Sequence, residues 1–171
     1  QSSRQLRYEM NRWVVSGFAH VSIAILSAGL IVSSATGGLA ENRLPYLCGL
    51  ISSVIIILSA RGLTSNRPLL HRLTITMFNI FIFGFGIYLG MLDYQNQTVN
   101  FMIMMVVVPI IMIERPLTAL LTNIFFAAIF VALALVYKVP EVLATDIADA
   151  IIYCILGAVV GSTSNYFKLK G

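Results

Sequence analysis

Long apolar runs separated by short polar stretches make up most of this sequence. Five of the runs are about 17 to 25 residues long, the length that an α-helix needs to cross the hydrocarbon core of a bilayer. The fourth run along the chain is shorter and contains Pro109, which fits a kinked or locally thinned crossing. The pattern predicts an all-α, polytopic membrane bundle of six transmembrane helices, at about residues 13–34, 44–60, 69–92, 99–113, 117–137 and 146–167.

Both ends of the chain are polar and basic. In residues 1–12 and just beyond, Leu6, Met10 and Trp13 recur at helical spacing, so we expect a cytoplasmic juxtamembrane segment able to form an amphipathic helix. Residues 13–167 are expected to form the transmembrane domain. We expect residues 168–171 to begin a cytoplasmic linker.

The composition favours the same class of protein. Of 171 residues, 58% are hydrophobic and 11% are charged, and the mean hydropathy is +0.90. A soluble domain usually carries about 25% charged residues. The net charge is +4, but the basic residues stand beside apolar runs, which argues against nucleic-acid binding. We therefore expect a multi-pass protein of the cell membrane, with the lipid bilayer as its main partner.

The basic residues also predict an orientation, because Lys and Arg concentrate in cytoplasmic loops. With six crossings, one side of the membrane receives Arg4, Arg7, Arg12, Arg61, Arg67, Arg72, Arg115, Lys168 and Lys170. The opposite side receives Arg43 and Lys138. An odd number of crossings would destroy this alternation, so we expect both termini in the cytoplasm.

Polar side chains at the extracytoplasmic ends of the helices are candidates for binding a small-molecule ligand. Asp146, Asp149 and Tyr153 open the sixth run at spacings that place them on one helical face. Ionisable groups within a membrane are costly and are therefore functional candidates. Further candidates at the same level are Tyr88, Asp93, Tyr137 and Lys138. Two plainer readings stay open: Asp146 as a residue of the helix N-terminus, and residues 93–100 as a solvated loop.

Other polar residues lie inside the apolar runs and are expected to hydrogen-bond between helices. These are His20, Asn79 and Asn123. The pairs Gly86/Gly90 and Gly157/Gly161 permit close helix approach and give weak support to a dimer. The sequence contains no phosphate-binding loop, metal-ligand pair or nucleophile–base pair. We expect no metal, no cofactor and no enzymatic activity in this segment.

The last third of the chain resembles the N-terminal membrane sensor regions of bacterial GGDEF proteins. The resemblance rests on Glu114-Arg115-Pro116, Tyr137-Lys138, the segment from Thr145 to Tyr153, and Asn165-Tyr166-Phe167-Lys168. It implies six crossings followed by a cytoplasmic diguanylate cyclase domain. A signal at the extracytoplasmic mouth would then shift the sixth helix and set the pairing of two copies in a homodimer. Asp149 stands where relatives often have Asn.

Three other classes of protein also fit this pattern. The six-helix substrate-binding component of a vitamin-type uptake transporter has the same size and topology. A membrane protein whose function is assembly would need only the packing motifs. A histidine-kinase sensor would use the same membrane part with a different output domain.

Overall fold

The described residues of this protein, 3–36, 43–61 and 68–170 in the computed structural model, form six α-helices and no strand. The helices are α1 (Ser3–Thr36), α2 (Arg43–Arg61), α3 (Pro68–Leu92), α4 (Val99–Ile111), α5 (Pro116–Tyr137) and α6 (Pro140–Lys170). Five of them are long and apolar enough to cross a membrane, and α4 is a shorter apolar helix. The chain is therefore a helical, multi-pass membrane protein.

The helices follow the predicted runs, and the following four ends differ from them. Ser3–Thr36 is one continuous helix, so residues 3–12 belong to the same helix as the first apolar run. α6 begins at Pro140 instead of residue 146, because proline fits the first position of a helix and nothing in the next five residues breaks it. It also continues through Lys170, into the expected linker. α4 ends at Ile111, two residues before the predicted run ends.

The chain divides into two compact units, Gln1–Phe81 and Ile82–Gly171, with the boundary inside α3. In the first unit, α1 packs against α2. A Cβ added to Gly49 of α2 would lie 2.8 Å from Leu26 of α1, and one added to Gly29 of α1 would lie 3.4 Å from Tyr46. Since residue 29 faces 46 and residue 26 faces 49, the two helices are antiparallel.

Aromatic contacts place α1 beside the first part of α3. The rings of Tyr8 and His71 meet edge-on, with centroids 4.3 Å apart. Those of Phe18 and Phe78 do so at 5.7 Å. The residue numbers rise together along the two helices, so α1 and α3 run in the same direction.

In the second unit, α6 packs against both α4 and α5, and buried phenylalanines of α3, α4 and α5 stack on one another. Phe83 stacks on Phe126 at 4.7 Å, and Phe101 stacks on Phe130 at 4.8 Å. Phe83 also meets Phe101 edge-on at 6.2 Å, which joins the two stacks. Offset and edge-on pairs of this kind add to the stabilisation from burial alone.

α4 carries a proline near its C-terminal end, and α5 compensates for the hydrogen bond that the proline removes. Pro109 has no N–H, so it leaves the carbonyl of Met105 without its usual donor four residues later. The side-chain amide of Asn123, on α5, donates to that carbonyl at 3.0 Å. Asn123 is 1% exposed, so the bond lies inside the unit.

Two glycines bring α6 against the same part of α4. A Cβ added to Gly157 would lie 2.0 Å from the Met105 carbonyl oxygen, and one added to Gly161 would lie 2.4 Å from Cβ of Pro109. The Gly157/Gly161 pair therefore serves close packing within the chain.

We expect the Asn123 bond to depend on Pro109. Asn123→Ala should destabilise the protein by about 1 kcal/mol, which is the size of interhelical hydrogen bonds in membrane proteins. In a Pro109→Ala background, the new N–H can bond the Met105 carbonyl, so Asn123→Ala should cost less. SDS-induced unfolding followed by circular dichroism measures both costs. Asn100→Ala, an exposed amide in the first turn of α4, is the matched control. Equal costs in the two backgrounds would contradict the assignment.

Candidate functional site

A buried ion pair joins the end of α5 to the beginning of α6. Nζ of Lys138 lies 3.3 Å from Oδ2 of Asp146, and their side chains are 0% and 1% exposed. Lys138 caps the C-terminus of α5, where its N–H bonds the carbonyl of Ala134. Asp146 lies in the second turn of α6, whose first residue is Pro140. The connection between the helices is thus short enough to bring the two charges together.

Asp146 also binds the N-terminus of α4. Its Oδ1 accepts the backbone N–H of Thr98 at 3.0 Å, and its Oδ2 accepts the Thr98 hydroxyl at 3.0 Å. Thr98 is the N-cap residue of α4 and is buried. A carboxylate suits this place because free N–H groups make a helix N-terminus positive. Gly90 leaves room for Thr98, since an added Cβ would lie 2.4 Å from the threonine methyl group.

The ammonium group of Lys138 holds the loop between α3 and α4. It donates to the carbonyl of Asp93 at 2.8 Å and to that of Asn96 at 2.5 Å. Within the loop, the Asn96 side chain donates to Oδ1 of Asp93 at 2.8 Å. We call Asp93, Asn96, Thr98, Lys138 and Asp146 the Lys138–Asp146 cluster. It ties the α3–α4 loop to the α5–α6 junction.

The structure brings together three of the seven predicted ligand-binding residues. Asp93, Lys138 and Asp146 belong to the Lys138–Asp146 cluster, although Asp93 joins through its carbonyl and its side chain is exposed. Asp149 and Tyr153 are half-buried further along the same face of α6. Neither has a hydrogen-bond partner among the described residues.

The last two of the seven lie outside the cluster. Tyr88 is half-buried on α3, next to the ring of Phe85. Tyr137 is 60% exposed at the end of α5, as expected for a tyrosine at a membrane interface.

The interpretation of Asp146 as a residue of the N-terminus of its own helix is wrong. Asp146 is not at the N-terminus of its own helix, because α6 begins earlier, at Pro140. It binds the N-terminus of α4 instead. Sequence reasoning also missed Thr98. A threonine directly before an apolar run is a helix-start signal, and that signal could have found it.

The residues predicted to hydrogen-bond between helices have three different surroundings. Asn123 bonds the Met105 carbonyl, as described above. His20 is exposed on α1, and its Nδ1 lies 2.6 Å from the carbonyl oxygen of Ser16 in the same helix. Asn79 is buried on α3, and its Oδ1 has no hydrogen-bond partner in the part of the chain that the structure describes.

A second set of polar contacts joins α6 to the C-terminal end of α4 and the segment after it. The carbonyl of Ile110 accepts hydrogen bonds from the hydroxyl of Ser164, at 3.4 Å, and from the ammonium group of Lys168. The carbonyl of Glu114 accepts from the side-chain amide of Asn165 at 3.1 Å. All three donors come from α6. α6 is therefore bonded to α4 at both ends.

We expect the charges of the Lys138–Asp146 cluster to depend on one another. Lys138→Met leaves a buried carboxylate without its cation, which should cost about 3 to 5 kcal/mol of unfolding free energy. Asp146→Leu should cost a similar amount, and the double variant should cost clearly less than the two together. SDS-induced unfolding of the four proteins measures the coupling.

Asp149→Asn is the control for this cycle. It removes a carboxylate one turn further along the same helix, where the described residues offer it no hydrogen-bond partner. It should change the stability by less than about 1 kcal/mol. Strict additivity of the two cluster variants would show that the pair is not coupled.

Among the described residues, no group of three or more His, Cys, Asp and Glu side chains could hold a metal ion. No protein-family model, curated protein or solved structure matches the chain. The function must therefore be inferred from the residues and geometry of the chain itself.

Proposed function

We propose that this chain is the transmembrane input domain of a bacterial signalling protein. It relays a signal across the cell membrane to a cytoplasmic output domain, expected from the sequence resemblance to be a diguanylate cyclase of the GGDEF class. The observation that carries the proposal is α6. It is one continuous helix of 31 residues, with the Lys138–Asp146 cluster near its start.

The length of α6 suits a relay. A helix of this size is about 46 Å long, against a hydrocarbon thickness of about 30 Å. With Asp146 at the extracytoplasmic boundary, about one turn at the end of α6 extends beyond the opposite boundary. A displacement at the Lys138–Asp146 cluster therefore reaches the cytoplasmic side along a single rigid element.

The relay requires six crossings with both termini in the cytoplasm, and the contacts of α4 support that topology. Thr98 contacts Asp146 before α4 begins, and Glu114 contacts Asn165 after it ends. Between these two contacts, α6 rises about 28 Å, close to the full hydrocarbon thickness. α4 and the segment after it therefore span the same depth as the part of α6 from Asp146 to Asn165.

The segment after α4 completes the crossing with extended backbone. Met112 and Arg115 have extended backbone angles, and Met112 and Ile113 are both 0% exposed. Non-helical backbone is tolerated at membrane depth where it is buried and hydrogen-bonded within the protein. The bonds from α6 to Ile110 and Glu114 meet that condition.

The distribution of charge supports the orientation. With Lys138 held in a buried ion pair, Arg43 is the remaining basic residue assigned to the extracytoplasmic side. Nine basic residues are assigned to the other side, as counted above. This is the bias expected when both termini are cytoplasmic.

A ligand produces a signal only if it binds one arrangement of the helices better than another. Asp149 and Tyr153 are the side chains of α6 best placed to contact a small molecule, because they are half-buried and have no hydrogen-bond partner among the described residues. A ligand bound there would act on the face of α6 that also carries Asp146. In a homodimer of this protein, the movement of α6 would change how the two cytoplasmic output domains pair.

Cysteine labelling tests the topology. With Cys48 and Cys154 replaced by alanine, a Gln97→Cys variant probes the loop before α4 and a Glu114→Cys variant probes the segment after it. In intact cells, a membrane-impermeant maleimide should label Gln97→Cys. It should label Glu114→Cys, and Lys170→Cys as a control, only after permeabilisation. Labelling of Gln97→Cys and Glu114→Cys from the same side would mean that α4 does not cross.

The gene sequence beyond the Gly171 codon and an output assay test the function. We expect an open reading frame that continues into a cytoplasmic cyclase domain. In that full-length protein, Asp149→Ala should change cyclic di-GMP production severalfold. Glu141→Ala, which removes an exposed carboxylate from the first turn of α6, should not.

A stop codon at that point would overturn the simple form of the proposal and favour a transporter component. An unchanged output from the Asp149→Ala protein would remove Asp149 from the signal path.

A further inference from the structure

Two buried nitrogen atoms without hydrogen-bond partners among the described residues lie in the first unit, near the starts of α1 and α3. His71, in the first turns of α3, is 8% exposed, and its Nε2 has no partner among the described residues. Arg7, near the start of α1, has a buried Nε that also has none. An unsatisfied buried polar group costs about 1 to 3 kcal/mol, so two of them in one place call for an explanation.

The two groups are neighbours. The ring of Tyr8 packs edge-on against the ring of His71 at 4.3 Å, which places the start of α1 next to the start of α3. Arg7 is close enough for its charge to act on the His71 imidazole. Neither residue forms an ion pair with an acidic side chain in the described part of the chain.

The surroundings add to the positive potential. α3 has no acidic residue in its first turn, so the partial positive charge of its N-terminus is not offset there. Arg72, the residue after His71, is exposed and carries a further positive charge. A cationic side chain, a donor-capable imidazole and a helix N-terminus thus lie at one point of the α1–α3 contact, where the starts of the two helices meet.

We propose that this point, the Arg7–His71 site, binds the phosphate of an anionic group. The guanidinium of Arg7 donates from Nε to one phosphate oxygen, and the imidazole of His71 donates from Nε2 to another. Phosphate fits because arginine bonds its oxygens through a planar set of donors, and because free N–H groups at a helix N-terminus attract anions. One ligand would satisfy both buried nitrogen atoms.

The depth of the site in the membrane points to where the phosphate comes from. Arg7 precedes the first apolar run and His71 stands at the start of the third, so both lie where the parallel helices α1 and α3 approach the membrane from the same side. Phospholipid head groups lie at that level, and basic clusters there attract anionic lipids. A soluble phosphate ester has the same chemistry and is the second source to be distinguished.

The test uses the purified protein in lipid nanodiscs. Thermal unfolding is measured in phosphatidylcholine alone, in phosphatidylcholine with phosphatidylglycerol, and in phosphatidylcholine with soluble glycerol phosphate. Wild type should be stabilised by phosphatidylglycerol, and native mass spectrometry should show retained phosphatidylglycerol. Stabilisation by glycerol phosphate alone would assign the site to a soluble ester. The inference requires that one of these two ligands stabilises the protein.

Three variants locate the effect. Arg7→Gln and His71→Phe each remove one donor, and the phenylalanine can keep the ring contact with Tyr8. Each should weaken the binding about tenfold, the effect expected for losing one hydrogen bond to a charged group. Arg72→Gln removes the same charge as Arg7→Gln from the exposed neighbour of His71, and it should keep most of the stabilisation.

Two results would overturn the inference. One is the absence of stabilisation of wild type by either ligand. The other is stabilisation of Arg7→Gln and His71→Phe as large as that of wild type. If His71→Phe does not fold, Arg7→Lys replaces it, because lysine keeps the charge and lacks the buried Nε. The outcome is independent of the signalling proposal, since it concerns a site in the other unit and needs no output domain.

Discussion

The hydrocarbon core of a membrane offers no hydrogen bonds, so every backbone N–H and C=O group must be satisfied within the protein. α4 is the part of this chain that meets the requirement least by itself. Pro109 leaves the Met105 carbonyl open, and the helix ends while its chain is still buried. The missing donors come from Asn123 on α5 and from Ser164, Asn165 and Lys168 on α6. A short, proline-containing α4 is therefore stable only between these two neighbours.

The same requirement explains why the second unit is closely packed. Gly157 and Gly161 bring the backbone of α6 against the proline turn, so α6 fits α4 in one position. The Lys138–Asp146 cluster then fixes the start of α4, and the bonds from Ser164 and Asn165 fix its end. α6 cannot slide along α4 without breaking contacts at both ends. In the proposed signalling mechanism, α4, α5 and α6 therefore move together.

The sequence was sufficient to predict the helices and insufficient to predict the contacts between them. The apolar runs predict the central parts of all six helices, because the length of a run can be counted within one segment of the sequence. The start of α6 lies outside the predicted run because residues 140–145 are less apolar, whereas Pro140 begins the helix. Continuity of α1 through residues 3–12 was missed for a similar reason, since polarity was taken to mean a separate segment.

The candidate site shows where local patterns fail. Asp146 was identified as an unusual residue, but its partner Thr98 lies 48 positions earlier in the chain. The sequence predicts Lys138 as a ligand-binding candidate at a helix end, and it gives no sign that the side chain is fully buried. Both facts depend on how three helices meet, and no spacing within one helix reveals that. The Arg7–His71 site is of the same kind, because α1 and α3 form it together.

The surroundings of the Lys138 ammonium group consist of three oxygen atoms, from two loop carbonyls and one carboxylate. Hard cations prefer oxygen ligands of this type. Here the cation is covalently attached to the chain, so its occupancy does not depend on the ions in the surrounding solution. Salt screens exposed charges far more than buried ones. The loop between α3 and α4 can therefore keep one geometry in media of very different salinity.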